Sequence, residues 1–334
     1  MTVPSPLLPT RIFSRFPGGL STSTLPDECR ALLNEQRSVW PQASDGYASL
    51  DTVRVRKVEC RGFNAYLQFN PKRIVSTGAK VDPKSIRERK CFLCLENLPE
   101  PQKGILYHGD HLILCNPVPI FRQHFTISSI RHIPQTLDGH AGTMLALARD
   151  LSPSFSVFYN GPRCGASAPD HMHFQSCPAG AIPVEREAAD HRRRQQRVSV
   201  HGVPVFVMEE FGREVFVLES ADRASMEKAM AALIGAMQSA LGGTEEPMMN
   251  VIASWKDGLW RVLVFPRRKH RPDAYFRKGE ERILISPAAV DIGGFIVTPL
   301  QTDFERVDAA MIESIFREVS VRRDEVERIC SFLQ

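Results

Sequence analysis

Two histidines and a glutamine alternate with apolar residues in His171-Met172-His173-Phe174-Gln175. On a strand, that spacing sends His171, His173 and Gln175 to one face and Met172 and Phe174 to the other. The stretch before it, Asn160-Gly161-Pro162-Arg163-Cys164-Gly165-Ala166-Ser167-Ala168-Pro169, is rich in glycine and proline. Such a loop exposes backbone N–H groups that can receive an anion. Imidazoles, a carboxamide and open backbone amides together are groups that handle phosphate, and an imidazole can attack phosphorus as a nucleophile. Cys91-Phe92-Leu93-Cys94 offers a second chemistry. Two thiolates at this spacing can chelate one zinc ion, but the same spacing serves a redox pair or two buried thiols. Two further ligands are needed to decide for the metal.

The elements that must position these residues can be read from periodicity. Residues 53–58 and 63–69 have strand character, and 111–115 and 125–129 form two strands broken by Asn116-Pro117-Val118-Pro119. Residues 137–151 carry Leu137, Met144, Leu145, Leu147, Ala148 and Leu151 at helical spacing, which is a core-facing stripe. A strand-like run at 155–159 then leads into the glycine-rich loop and the histidine strand. Further on, 203–208 and 214–218 read as strands. Met226, Met230, Leu233, Met237 and Leu241 mark a helix, and 249–254 with 259–265 form a hairpin. The order strands, one helix, strands therefore occurs twice, and only the first copy carries histidines. Residues 283–286 and 295–298 read as edge strands and 303–319 as one helix.

Two basic stretches each admit two readings. Residues 70–80, with Asn70 and Arg73, form a turn into a short strand that either contacts phosphate or base or is a solvated hairpin end. Residues 266–272, with Arg267 and Lys269, either bind phosphate or form a solvated loop. The charged run at 185–197 reads as a solvated helix or loop.

The chain has 334 residues, 43% hydrophobic and 24% charged, with a net charge of +4. This is soluble globular composition, long enough for one large or two medium domains. The charge suits an anionic ligand and is too weak to argue for nucleic acid. No apolar run reaches membrane-spanning length and no secretory signal is visible, so a cytoplasmic protein is expected. Eight scattered cysteines favour free thiols, with one metal site, over a disulfide framework.

The motifs carry a resemblance. Cys91-x-x-Cys94, then His132, then His171-x-His173-x-Gln175 resembles the galactose-1-phosphate uridylyltransferase branch of the histidine-triad superfamily. That branch includes the diadenosine-tetraphosphate phosphorylases and the GDP-hexose phosphorylases. Asn70-Pro71, Ile74-Val75-Ser76, Asn160, Gly165 and Ser167 extend the agreement, and the wording is closest to a bacterial subgroup. The resemblance spans roughly residues 55–300 and is strong only at these motifs.

The resemblance implies an α+β fold made of two histidine-triad-like units, each an antiparallel sheet with helices. The expected division is an N-terminal arm over 1–50, a catalytic unit over 51–185 and a second unit without catalytic histidines over 186–334. It implies that His173 attacks the α-phosphorus of a nucleotide or nucleotide sugar and forms a covalent nucleotidyl-imidazole. Phosphate or a sugar 1-phosphate then removes the nucleotide. Gln175 would hold phosphoryl oxygens, and it cannot act as the acid or base that an imidazole could, which favours transfer over hydrolysis. Ser167 and the backbone at Gly165 would bind phosphate oxygens, and Asn160 would orient the nucleophile or the ribose phosphate. His171 would serve the site as a member of the motif. Cys91, Cys94, His132 and His171 would hold a structural zinc, with His124 a second candidate for the place of His132. Asn70, Arg73, Arg267 and Lys269 are added as substrate contacts on charge and position. The alternatives are a nucleotide hydrolase of the same superfamily and a non-enzymatic, zinc-dependent nucleotide-binding protein. Monomer and homodimer are both compatible with the sequence, and neither a membrane nor a nucleic-acid partner is expected.

Overall fold

The computed structural model describes residues 7–18, 24–79 and 81–334. Residues 1–6 and 19–23 of the expected arm, and Lys80 of the first basic stretch, lie outside the described residues. In chain order the strands are β1 (Ile12–Phe16), β2 (Arg54–Cys60), β3 (Phe63–Phe69), β4 (Gly104–Tyr107), β5 (His111–Cys115), β6 (Phe125–Ser129) and β7 (Phe155–Asn160). They continue with β8 (His173–Pro178), β9 (Arg194–Val200), β10 (Val203–Met208), β11 (Phe216–Ser220), β12 (Met249–Lys256), β13 (Leu259–Pro266) and β14 (Phe295–Thr298).

Eleven strands form one sheet in the order β1-β4-β5-β6-β8-β7-β12-β13-β11-β10-β9. The repeat read from the sequence is a repeat of topology. Helix Ala141–Asp150 joins β6 to β7, and helix Arg223–Leu241 joins β11 to β12. The first copy is ordered β4-β5-β6-β8-β7 and the second β9-β10-β11-β13-β12, the same permutation. The copies meet where their equivalent strands β7 and β12 pair antiparallel, with Asn160 opposite Asn250. The fold is α+β with two such units, as the resemblance implied.

Alternation along the strands sorts side chains between two cores. Phe155, Val157, Tyr159, Met172 and Phe174 face a helical layer that includes Leu145, Met230 and Leu33. Phe158, Cys177, Ile252 and Leu263 face the opposite way, against a second sheet ordered β14-β3-β2. That small sheet draws β2 and β3 from the first half and β14 from the second, with β14 parallel to β3. The motif's alternation therefore places Phe174 in the helical core and His173 on the small-sheet side. Of the first fifty residues, β1 pairs in parallel with β4, and helix Leu25–Val39 buries Leu25, Cys29, Leu32 and Leu33 in the helical core.

Four local expectations are corrected. The described residues 70–79 of the first basic stretch form no strand: after Asn70 they turn through the short helices Pro71–Arg73 and Ile74–Thr77, where Pro71 lacks the N–H a ladder needs. Residues 283–286 are not an edge strand, because the Leu284 N–H donates to the Asp303 carboxylate and not to a neighbouring strand. The helix expected over 303–319 is two, Gln301–Arg306 and Ala309–Val319, the second started by Asp308 capping the Met311 N–H. The charged run at 185–197 ends in β9, where Arg194 is buried against Glu219 at 2.8 Å. Among the described residues no helix is long and apolar enough to cross a membrane.

Candidate active site

Strand β8 lies between β6 and β7, with His173 opposite Ser128 and Gln175 opposite Thr126 and Phe158. Its start is held by a buried side chain that carries no motif. Gln135 Oε1 accepts the His173 N–H at 2.8 Å, while its Nε2 donates to the carbonyls of His173 and Asn160 at 3.0 and 2.9 Å. One carboxamide thus fixes the ends of β7 and β8 relative to each other. His171 precedes the regular strand, so its side chain is free to leave the face that His173 and Gln175 share.

A cavity of about 750 Å³ opens on this face, lined by His173, Gln175, Asn160, Ser167, Arg73 and Arg271 among others. The protonation pattern of His173 follows from its partner. Its Nδ1 lies 2.8 Å from the His171 carbonyl, which can only accept, so Nδ1 carries the proton. Nε2 is then a bare lone pair. Burial pushes the His173 pKa down to about 4, so the ring is neutral at neutral pH.

Both amides at the cavity are turned by their partners. The oxygen of Asn160 accepts from Asn250 Nδ2 at 3.0 Å and from the Ala289 N–H at 2.8 Å. The oxygen of Gln175 accepts from His124 Nε2 at 2.9 Å. With both oxygens engaged, their NH₂ groups are the atoms left for the cavity. Gly165 has φ +94°, and a Cβ there would lie 2.6 Å from Ala288 Cβ, so the loop needs glycine at this point. Ser167 and the backbone of Gly165 and Ala166 line the same wall. The cavity is therefore edged by donors beside the unprotonated Nε2 of His173, an arrangement chemically suited to a phosphoryl group.

Cys91, Cys94, His132 and His171 come together with their ligand atoms within 4.8 Å of one another. Cys91 Sγ lies 3.3 Å from His171 Nδ1, and Cys94 Sγ lies 3.0 and 3.6 Å from Nδ1 of His132 and His171. A tetrahedral zinc with ordinary bond lengths would separate such atoms by about 3.6 Å. The far nitrogen of His171 has the outer partner that a metal-bound imidazole needs, donating to the Ser129 carbonyl at 2.8 Å, while His132 Nε2 faces the Asp170 carboxylate at 3.7 Å without a hydrogen bond. The donor set and its surroundings fit a four-coordinate structural ion. Arg89 connects this corner to the phosphate loop, donating to Asp170 at 2.7 Å and to the Ser167 carbonyl at 3.3 Å.

Three expected substrate contacts are corrected. Arg267 is 1% exposed and absent from the cavity wall. Its five N–H donors go to Asn250 Oδ1 and the carbonyls of Val319, Pro287, Lys269 and His270. Lys269 pairs with Asp273 and Glu318 and does not line the cavity either. Asn70 is buried behind the wall, donating to Gln68 and to the Pro119 carbonyl at 3.2 Å each. Arg73 does line the cavity, donating to the Val118 carbonyl at 2.7 Å. The second basic stretch instead supplies His270 and Arg271 to the cavity. Arg271 is also a clamp between the halves, donating to Ser286 Oγ and to the carbonyls of Thr77 and Ala79. Sequence reading also missed Gln135, His124 as a partner of Gln175, and Asn250. None of these sits in a motif, and each is placed by strand pairing or by a loop.

Burial holds three histidines neutral here: His173 falls to about 4, His124 to about 3 and His270 to about 3. In the unfolded chain each would titrate near 6.5. Below that pH the unfolded chain takes up protons that the folded one refuses. The stability these groups allow is thus complete above pH 6.5 and lost as pH falls toward 4 to 3, by up to about 1.4 kcal/mol per pH unit for each histidine. The thermal midpoint should drop steadily from pH 7 to pH 5, and a flat profile would contradict buried, neutral imidazoles.

The comparisons agree with this architecture. The family described as "Domain of unknown function (DUF4922)" matches residues 32–178, and the one described as "GDPGP1-like, C-terminal domain" matches residues 183–333. No curated protein sequence matches the chain. Among solved structures, yeast Ap4A phosphorylase Apa2 aligns with a TM-score of 0.64 at 14% identity, covering 90% of this chain and 98% of that one. The same yeast enzyme in complex with Ap4A gives 0.59 at 14% identity over 90% and 98%. Its complex with AMP gives 0.57 at 16% identity over 87% and 96%. The chain thus has the fold of that phosphorylase along nearly its whole length, and its C-terminal half is GDPGP1-like. Both findings agree with the branch that the motifs resemble.

Proposed function

We propose that this chain, built on the fold of the yeast phosphorylase, is a nucleotidyltransferase of the phosphorylase type. It transfers a nucleoside monophosphate through His173 to phosphate or a sugar 1-phosphate, with a nucleotide sugar or a dinucleoside polyphosphate as donor. The observation that carries this is the bare Nε2 of His173 in a cavity whose two amides offer N–H donors. Residues 51–185 supply the reacting groups and residues 186–334 orient them, through Asn250 and Ala289 on Asn160.

In the first step the Nε2 lone pair attacks the α-phosphorus. A P–N bond forms, the P–O bond to the departing sugar 1-phosphate or nucleoside polyphosphate breaks, and that oxygen keeps the bonding electrons. The imidazole gains positive charge as the bond forms, and its Nδ1–H keeps donating to the His171 carbonyl. Gln175, Asn160, Ser167 and the backbone at Gly165 donate to the phosphoryl oxygens, whose charge grows in the transition state. In the second step an oxygen of phosphate attacks the same phosphorus, the P–N bond breaks, and its electrons return to Nε2. The second nucleophile is itself an anion meeting a negatively charged phosphoryl group, so the same donors are needed again in that step.

Cys91, Cys94, His132 and His171 would hold a zinc ion that braces the chain just before His173. Its contribution is structural: the His171 carbonyl that fixes the His173 tautomer belongs to a residue the ion would anchor.

Incubation with GDP-hexoses and with dinucleoside tetraphosphates, with and without phosphate, tests the assignment. Turnover is expected only when phosphate or a sugar phosphate is present. Equal turnover without an acceptor would make the chain a hydrolase. Saturable nucleotide binding with no turnover under any condition would make it a binding protein.

A further inference from the structure

We propose that His124 is the positioning residue that aims the Gln175 carboxamide, by donating to its oxygen and so leaving its NH₂ for the phosphoryl group. The inference rests on His173 being the nucleophile of the same cavity. His124 lies outside the cavity wall, is 1% exposed, and is neither a motif residue nor a ligand of the cysteine and histidine cluster. Its ring is fixed from both sides. The Ile120 N–H donates to Nδ1 at 3.1 Å, so Nδ1 must be bare and Nε2 must carry the proton. Nε2 lies 2.9 Å from Gln175 Oε1 and can only donate there. The backbone of His124 is held as well, its carbonyl accepting from Tyr47 Oη at 2.8 Å and from the Asn116 N–H at 2.9 Å.

The consequence is directional. A carboxamide turned by half a rotation presents an oxygen where it had presented N–H groups. Against a phosphoryl oxygen that exchanges attraction for repulsion. The loop bond from Ile120 fixes the tautomer, the tautomer fixes the amide, and the amide meets the substrate. A backbone N–H in the loop between β5 and β6 thereby decides the polarity of a side chain on β8.

Two substitutions separate the links. In His124→Asn an amide oxygen can stand where Nδ1 was and keep the Ile120 bond, while nothing reaches Gln175. In His124→Gln an amide nitrogen can stand where Nε2 was and keep the Gln175 bond, while the Ile120 bond is lost. Nucleotide transfer to His173 in a single turnover should fall by about 100-fold in His124→Asn, the lower end of the cost of losing one oriented donor. His124→Gln should keep at least about ten times the rate of His124→Asn, and the reverse order would overturn the proposal. In a Gln175→Leu background His124→Asn should cost nothing further, whereas an undiminished second loss would show that His124 acts elsewhere. The unsubstituted protein gives a reading independent of any variant's folding: ¹⁵N spectra of labelled histidine should show His124 protonated at Nε2 and bare at Nδ1. The opposite tautomer would overturn the proposal. Absence of nucleotide on His173 would defeat the transfer reading while leaving that tautomer measurement valid.

Discussion

His173→Ala should reduce nucleotide transfer by at least about 10⁴-fold, the scale on which removal of a covalent nucleophile acts. The reason is local. Nε2 of His173 is a lone pair that the His171 carbonyl leaves bare in the cavity, and the neighbouring imidazoles have other partners. His171 is turned toward the cysteines, His124 donates to Gln175, and the Ser286 hydroxyl lies 3.4 Å from His270 Nε2. The amide donors survive the substitution, so nucleotide binding should persist within a few fold. Loss of turnover with retained binding is the expected pair of results, read by steady-state kinetics and by calorimetry. Retained turnover in a folded His173→Ala protein would remove the imidazole from the mechanism.

Metal removal should have the second largest effect. Protein purified without chelators should carry about one zinc per chain, since the four ligands form a closed set. For an ion held a thousand-fold below its free concentration, stripping it forfeits about 4 kcal/mol, which in a chain of this size corresponds to a fall in thermal midpoint on the order of 10 °C. Cys94→Ser should reproduce much of that fall, and added zinc should restore the stripped protein but not the variant. Activity should follow stability, because the His171 carbonyl that sets the His173 tautomer sits on a ligand residue. A midpoint indifferent to chelation would mean that the cluster is four buried side chains without an ion.

The histidine motif was legible because strand alternation is a rule of two: Phe174 enters one core and His173 faces the other. The metal corner needed the resemblance to pick out His132, since a lone Cys-x-x-Cys leaves its other ligands open. The duplicated topology showed as a repeated order of strands and helix, while the pairing of Asn160 with Asn250 could not be seen, because strand register across the join of two units is not a local property. Charge was a poor guide to contact. In the basic stretch at 266–272, Arg267 spends every donor on backbone and Asn250, Lys269 turns to acidic partners, and the less conspicuous His270 and Arg271 reach the cavity. Gln135 and His124 act on β8 from loops beside β6, and single side chains in loops carry no periodicity to read.

The second unit lost, or never had, histidines on β13, the topological counterpart of β8. In the proposed mechanism it serves as a frame. Arg267 holds Asn250, and Asn250 holds both the Asn160 amide and the Cys164 carbonyl in the phosphate loop. The site is thus built at the seam between the copies, with chemistry on one side and orientation on the other.

The most direct test is the mass of the intact protein after mixing with a nucleotide donor in the absence of acceptor. A covalent nucleotidyl-histidine predicts an increase of one nucleoside monophosphate, located on the peptide bearing His173 and discharged by phosphate. Turnover with phosphate but no such adduct, or an adduct on another residue, would contradict transfer through His173.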